Sequence, residues 1–136
     1  MLRFFSFCLP WQGEWEIVMF IVEPGDVVYC CFPTAEGGVL PHYALVLAVE
    51  KALSGATFVR VAYGSSRRVS ISGALETEFV LADLQEIAEA GLRKPTRFDL
   101  RITARLPVTE VRVTGKVNLK DGRVISRLKR AILSAQ

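Results

Sequence analysis

The sequence predicts a β-rich α+β fold: a small, curled, mostly antiparallel sheet or barrel with a short helix and a C-terminal helix. Three observations predict it. Short β-branched and aromatic runs recur along the chain, Gly and Pro separate these runs, and helical patterns are confined to two later segments. The 136 residues fit one domain, and 51% hydrophobic against 23% charged residues is typical of a globular protein.

Six segments have the composition of β-strands and are bounded by turn residues. We expect strands at residues 26–32, 43–49, 56–63, 77–81, 96–107 and 110–117. The run 43–49 is continuously apolar, which favours a buried central strand, whereas 96–107 alternates apolar with polar residues and predicts a half-exposed strand. The segments 33–41 and 64–73 are predicted loops, the second of which could end in a short strand.

Two segments have helical character. Residues 82–92 predict a short helix that ends at Gly91. A second helix is expected from Asp121, which can cap its start. Its apolar residues fall on one stripe, formed by Val124, Ile125, Leu128, Ala131 and Ile132. Its arginines lie on the opposite face, at Arg123, Arg127 and Arg130.

The first residues differ in character from the rest. The apolar run "FFSFCLP" ends at Pro10, is followed by Glu14 and Glu16, and lacks the small-residue cleavage site of a signal peptide. We therefore interpret residues 1–18 as an extension, disordered or a misplaced start, and residues 19–136 as a single domain. No run of about 18 apolar residues occurs, so the sequence predicts no transmembrane helix and no membrane partner.

The cysteines indicate a reducing compartment. There are three, Cys8, Cys30 and Cys31, and the adjacent pair would point to opposite faces of a strand. Free thiols are therefore favoured over a disulfide, and a cytoplasmic location follows as an expectation. With one histidine, no spaced Cys/His cluster and no nucleotide-binding glycine motif, the sequence predicts neither a metal site nor a cofactor.

Charge is distributed unevenly along the chain. Residues 1–59 carry two basic and six acidic side chains, whereas residues 60–136 carry fifteen basic and eight acidic ones. The first part therefore has a balance of −4 and the second a balance of +7. This asymmetry indicates a polyanionic or acidic partner, with a solvated basic face as the alternative.

Several motifs in order resemble the PemK/MazF family of toxins from bacterial toxin–antitoxin pairs. The stretch "PGDVVYCCFPTAEGG…LPHYALVLAV" resembles the family's opening, in which a Gly-Asp strand and a loop precede an "RPALVL"-like strand. The turn "VAYGSSRR" stands where the family has a Thr/Ser-Ser-polar turn, and "AGLRKPTRFDL…LP" is similar to one subgroup. The resemblance covers about Pro24 to Pro107.

This resemblance implies both a fold and an activity. The fold would be an SH3-like barrel of the PemK/MazF/CcdB type, in a cytoplasmic homodimer with a cognate antitoxin as partner. The activity would be metal-independent cleavage of single-stranded RNA. In that reaction the ribose 2′-OH attacks the adjacent phosphate and leaves a cyclic phosphate.

The resemblance also implies site residues. His42 stands where the family has its catalytic arginine, and Ser65 stands at the catalytic Thr/Ser, so these two are the candidate catalytic residues. Candidate substrate-binding residues are Tyr43, which could stack on a base or simply pack in the core, and the turn residues Ser66, Arg67 and Arg68. The two arginines could equally be solvated surface charges. Arg67 and Arg68 have no strict counterpart in the family motif. Asp26 belongs to the Gly-Asp pair and is interpreted as structural.

The histidine is the main departure from the family. An arginine stays charged and binds a phosphate bidentately, whereas the charge of a histidine at neutral pH is conditional. His42 could act as acid or base while Arg67 or Arg68 supplies the cation, or it could merely satisfy a backbone group in a loop corner. Likewise Ser65 and Ser66 could simply cap a turn.

Three functional hypotheses therefore stay open. The first is an endoribonuclease toxin. The second is a catalytically inactive protein of the same fold that binds nucleic acid or protein. The third is a CcdB-type toxin that acts on DNA gyrase, which the shared fold permits although no residue indicates it.

Overall fold

The computed structural model describes residues 22–69 and 75–136 in full, and the backbone alone of two further segments. These segments are β1 (Leu2–Leu9) and β2 (Glu14–Ile21). They pair antiparallel with each other as a two-stranded sheet that is separate from the main one.

Three sequence predictions fall on residues that the structure does not describe in full. The domain boundary expected between residues 18 and 19 falls within β2 and stays a prediction. The side chain of Cys8 lies outside the described residues, and so does the short strand considered at the end of the 64–73 segment.

The main sheet confirms the predicted β-rich α+β class. Its six strands are β3 (Asp26–Pro33), β4 (Val39–Lys51), β5 (Thr57–Ser65), β6 (Glu78–Leu81), β7 (Thr96–Pro107) and β8 (Val111–Lys116). Their order across the sheet is β6-β7-β5-β4-β3-β8, and each neighbouring pair is antiparallel. The last strand of the chain, β8, thus pairs with β3, the first strand of this sheet.

Two strands run well past their predicted ends and take up parts of the predicted loops 33–41 and 64–73. β4 begins at Val39, and β5 continues to Ser65. In both cases backbone pairing goes on beyond the apolar run, because a ladder is built from backbone groups and needs no particular side chain. Val39 lies opposite Pro33 in β3, and Ser65 lies opposite Arg97 in β7. His42, predicted at the end of a loop, therefore lies inside β4.

The first helix, α1 (Leu84–Glu89), is shorter than predicted but ends as expected. The carboxylate of Asp83 accepts hydrogen bonds from two backbone N–H groups of the first turn. Gly91 has a φ of +67°, and the next N–H, that of Leu92, donates to the Ile87 carbonyl at 3.0 Å. This Schellman arrangement closes the last turn and redirects the chain toward β7.

The second helix, α2 (Gly122–Ser134), confirms the predicted amphipathic pattern. The Asp121 carboxylate caps its start by accepting from the Arg123 N–H at 2.9 Å. Its fully buried residues belong to the predicted apolar stripe and are Val124, Leu128 and Ala131. Arg127 pairs with Glu86 of α1 at 2.7 Å. Across the described part of the chain, no helix has both the length and the apolar character needed to cross a membrane.

The main sheet buries apolar side chains on both faces. The residues packed against α1 and α2 include Val27, Leu45 and Ala62, and those of the other face include Val28, Ala44 and Val61. Successive strand residues point to opposite faces, so burial on both sides requires a continuous apolar run. This explains the composition of β4 and confirms the predicted central strand.

Asp26 has the structural position that was expected. It is buried, and its carboxylate accepts a hydrogen bond from the Glu23 N–H at 2.9 Å. Burial raises the pKa of the Asp26 carboxyl, since the charged form is less well solvated there. The side chain closes the turn that leads into β3.

The adjacent cysteines are both free thiols, with Cys30 buried and Cys31 exposed. Burial raises the pKa of the Cys30 thiol to about 11. We therefore expect iodoacetamide at mildly alkaline pH to alkylate Cys31 and to leave Cys30 unmodified in the native protein. Tandem mass spectrometry would locate the adducts, and both thiols should react after unfolding in guanidinium. Equal labelling of the native thiols would contradict the buried position of Cys30.

Candidate functional site

A cleft opens where β4 and β5 separate. Pairing between them ends at Ala44 opposite Tyr63, and beyond this point β4 continues beside β3 while β5 continues beside β7. The cleft has a volume of about 450 Å³. It is lined by the start of β4, the end of β5 with the following turn, and the segment before β7.

At the edge of the cleft, Gly64 allows the backbone of β5 to lie close to the Tyr43 carbonyl of β4. A Cβ on this residue would lie 2.4 Å from the Tyr43 carbonyl oxygen and 2.9 Å from the Phe98 ring. Because backbone oxygen cannot move aside easily, only glycine fits. The space beside Gly64 is thus taken up by the protein's own backbone.

The turn after β5 is held by two side chains. The Ser65 hydroxyl accepts a hydrogen bond from the Arg67 N–H at 3.1 Å. Arg97 donates from Nε to the Arg67 carbonyl at 2.8 Å, and its Nη1 pairs with Glu78 at 2.7 Å. The Arg97 side chain therefore stabilises the turn. Ser65 is buried, and no described group accepts its hydroxyl hydrogen, which leaves this hydrogen free for a ligand.

The imidazole of His42 packs on an aromatic ring. It is half-buried, and its centroid lies 4.6 Å from that of Tyr63, with 52° between the planes. The Tyr63 ring in turn packs edge-on against Phe32, with 5.3 Å between the ring centroids, which holds the Tyr63 ring against the core. Within residues 22–69 and 75–136 no group is hydrogen-bonded to the imidazole, so the corner interpretation of His42 finds no backbone partner there.

A second aromatic pair lies in the same cleft. Tyr29 and Tyr43 meet edge-to-face with their centroids 5.1 Å apart. Tyr43 is half-buried, so its ring both packs and faces the cleft. Exposed aromatic faces of this kind can stack on an unpaired base.

The cleft is electrostatically positive. Among the described residues, its lining contains Arg67, Arg93 and Lys94 and no aspartate or glutamate. In the described part of the chain, none of these three side chains forms an ion pair with a carboxylate. Uncompensated positive charge in a concave site raises the local concentration of anions, so the cleft favours an anionic ligand.

The structure brings most of the predicted site residues together. Those that line the cleft are His42, Tyr43, Ser65, Ser66 and Arg67. Arg68 lies in the adjoining turn with a φ of +55° and is exposed outside the lining. The chemical roles of all six stay predictions. Among the described residues, no three side chains of His, Cys, Asp or Glu come together as a metal site.

The segment that leads into β7 contains none of the predicted site residues. Arg93 and Lys94, together with Thr96 at the start of β7, line the cleft although they lie far from the GSSRR turn along the chain. The flanking Gly91 and Pro95 signal a loop, and two adjacent basic residues in a loop are the one local sign of anion binding. Their proximity to Ser65 depends on the pairing of β5 with β7, which no local pattern encodes.

Comparison with known proteins supports the architecture. No protein-family model and no curated protein matches the chain. Solved structures do match, among them the crystal structure of an Mtb toxin, with a TM-score of 0.50 and 21% sequence identity. The alignment covers 79% of this chain and 99% of that one. At this identity the likeness shows that the two chains share a fold.

Proposed function

We propose that the protein is an endoribonuclease that cleaves single-stranded RNA without a metal ion, as the toxin of a cytoplasmic toxin–antitoxin pair. The cleft carries the proposal, because the described residues of its lining combine an imidazole, serine hydroxyls and three basic side chains without a carboxylate. The resemblance of residues 24–107 to PemK/MazF toxins and the shared fold with an Mtb toxin support it.

The reaction requires two proton transfers and a stabilised phosphate. The ribose 2′-oxygen attacks the adjacent phosphorus and loses its proton, while the bond from phosphorus to the 5′-oxygen breaks and that oxygen gains a proton. The products are a 2′,3′-cyclic phosphate and a 5′-hydroxyl. The protein must supply a proton acceptor for the 2′-OH and donors to the phosphate oxygens, on which negative charge accumulates.

The cleft offers groups for the first proton transfer and for the phosphate, and the leaving 5′-oxygen takes its proton from solvent water. His42 takes the 2′-OH proton, because a neutral imidazole has a ring nitrogen that can accept one. Ser65 donates its free hydroxyl hydrogen to a phosphate oxygen, with Ser66 beside it. Arg67 neutralises the phosphate, and Tyr43 stacks on a base.

The remaining predicted contacts lie around the cleft. Arg68 would meet the RNA backbone beyond the cleft, where its exposed side chain is available. The basic part of the chain after residue 60 suits an acidic segment of a cognate antitoxin. A homodimer belongs to the same proposal, since the resembled family acts as one.

The first test is RNA cleavage in EDTA by the purified protein. Wild type should cleave a long single-stranded RNA, and Ser65→Ala should be slower by about 10²-fold, the usual cost of one lost donor to a developing oxyanion. Ser65→Thr should retain activity because it keeps the hydroxyl. In cells, induced wild type should arrest bacterial growth, and Ser65→Ala should relieve the arrest.

Ser54→Ala is the matched control. The Ser54 hydroxyl also accepts a backbone hydrogen bond in a turn, from the Ala56 N–H at 3.4 Å, but it lies outside the cleft lining. Its loss should leave cleavage unchanged, so a defect confined to Ser65→Ala is not a generic turn effect. RNA that stays intact with wild type would rule out the endoribonuclease.

One observation favours the alternative of an inactive binding protein. The Ser65 hydroxyl already serves the turn by accepting from the Arg67 N–H. If that is its whole role, the positive cleft binds an anionic partner without cleaving it. Intact RNA together with a gel shift that weakens steeply as salt rises would establish this function instead.

A further inference from the structure

We propose that Arg93 and Lys94 form a phosphate-binding pair that holds the RNA phosphate next to the one being cleaved. The identity of the ligand as RNA rests on the proposed function, whereas the assignment of these two residues rests on the cleft itself. Both side chains line it, together with the Ser65–Arg67 turn.

The pair is presented by a loop with fixed ends. Leu92 and Thr96, on either side, are buried with 8% and 4% of their surface exposed. The Thr96 hydroxyl donates to the Lys94 carbonyl at 3.0 Å, and Pro95 restricts the backbone between them. Arg93 and Lys94 are themselves exposed. Their backbone is therefore ordered before a ligand arrives, which lowers the entropic cost of binding.

The charges of the pair are not used elsewhere in the described structure. Within the described residues, five arginines pair with a carboxylate, namely Arg60, Arg97, Arg101, Arg105 and Arg127. Arg93 and Lys94 have no such partner among the described residues. Two adjacent cations without a counter-ion repel each other, and an anion between them removes that cost.

The amount of charge indicates more than one phosphate. Three basic side chains share a cleft of about 450 Å³, whereas each phosphodiester carries a single negative charge. Arg67 adjoins Ser65 in the turn, so these two bind the scissile phosphate. Arg93 and Lys94 then bind its neighbour along the strand, the arginine through two parallel hydrogen bonds and the lysine as a point charge. Binding of this neighbouring phosphate fixes the position of the RNA strand relative to His42.

Binding of an RNA that cannot be cleaved tests the pair separately from catalysis. A single-stranded oligonucleotide with 2′-O-methyl riboses has no attacking hydroxyl, and its Kd can be measured over a range of salt concentrations. For Arg93→Gln with Lys94→Gln we expect a Kd at least about tenfold weaker, since hydrogen bonds to charged groups are removed. The slope of log K against log salt should fall by about 1.4, or about 0.7 for each cation that no longer neutralises a phosphate.

The matched control removes the same charge from another surface. Lys129→Gln with Arg130→Gln changes two exposed cations on α2, outside the cleft lining. Its Kd and salt slope should stay close to wild type. Equal losses of affinity in both double variants would overturn the proposal, because they would indicate diffuse electrostatic attraction. Failure of the wild-type protein to bind the oligonucleotide would also overturn it. Both double variants replace exposed side chains, and such replacements usually change the free energy of unfolding by less than about 0.5 kcal/mol.

Failure of the pair and failure of the proposed function give different results. If wild type cleaves RNA and the Arg93/Lys94 double variant binds and cleaves normally, the proposal for the pair is wrong and the proposed endoribonuclease function is retained. If wild type leaves RNA intact but the double variant alone loses binding and salt slope, the pair stands in a binding protein.

Discussion

Replacing His42 with alanine is expected to slow RNA cleavage by about 10²–10⁴-fold, the usual contribution of a general acid or base. The imidazole is half-buried on Tyr63, and its loss removes one aromatic interaction worth about 1 kcal/mol. The protein should therefore stay folded while activity falls. Single-turnover cleavage in EDTA, with melting temperatures measured in parallel, checks both expectations.

A second substitution separates the two roles open to this position. His42→Arg supplies a permanent cation that cannot give up a proton. If His42 carries a proton, the arginine variant should be nearly as slow as alanine; full activity would mean that the position needs only positive charge. Val39→Ala is the control, because Val39 is exposed in the same strand and outside the cleft lining.

Replacing Gly91 with alanine is expected to lower the free energy of unfolding by about 2–4 kcal/mol. Two costs add. The residue has a φ of +67°, which is unfavourable once a Cβ is present. That Cβ would also lie 2.1 Å from the Thr114 carbonyl oxygen in β8, so α1 and β8 would have to move apart. Urea unfolding monitored by circular dichroism gives the measurement.

Gly55→Ala separates the two costs. Gly55 has a φ of +90°, and a Cβ there would have nothing within 4 Å. It should therefore lose only the conformational part, about 1–2 kcal/mol. Equal destabilisation of the two variants would mean that the close approach to Thr114 is not important. A larger loss for Gly91→Ala would measure how tightly the end of α1 packs on β8.

The parts of the fold that could be predicted are those in which local chemistry decides. Asp121 and Gly91 mark helix ends through their own side-chain or backbone properties, and both predictions are confirmed. The apolar run of β4 likewise predicts a strand buried on both faces. The strand extensions to Val39 and Ser65 could not be predicted, because backbone pairing with a neighbour continues them. The 3₁₀ turn Val108–Glu110 was also missed.

The candidate site divides in a similar way. His42 and Ser65 are candidates because they occupy recognisable places in an ordered set of motifs, and the structure places both in one cleft. Arg93 and Lys94 are not among the residues that the sequence predicts for the site, because their proximity to Ser65 comes from the pairing of β5 with β7. Arg68 was grouped with Arg67 by adjacency alone, yet the turn directs only Arg67 to the lining.

The pairing of β3 with β8 has a consequence for synthesis of the protein. Val27 in β3 lies opposite Gly115 in β8, so the segments that line the cleft are translated before this partner exists. A nascent chain therefore carries an open strand edge until β8 has left the ribosome, and pairing over such a distance is slow. Completion of the sheet is thereby postponed until translation is nearly finished. Under the proposed endoribonuclease function, a growing chain with an incomplete sheet would not yet act on the message that encodes it.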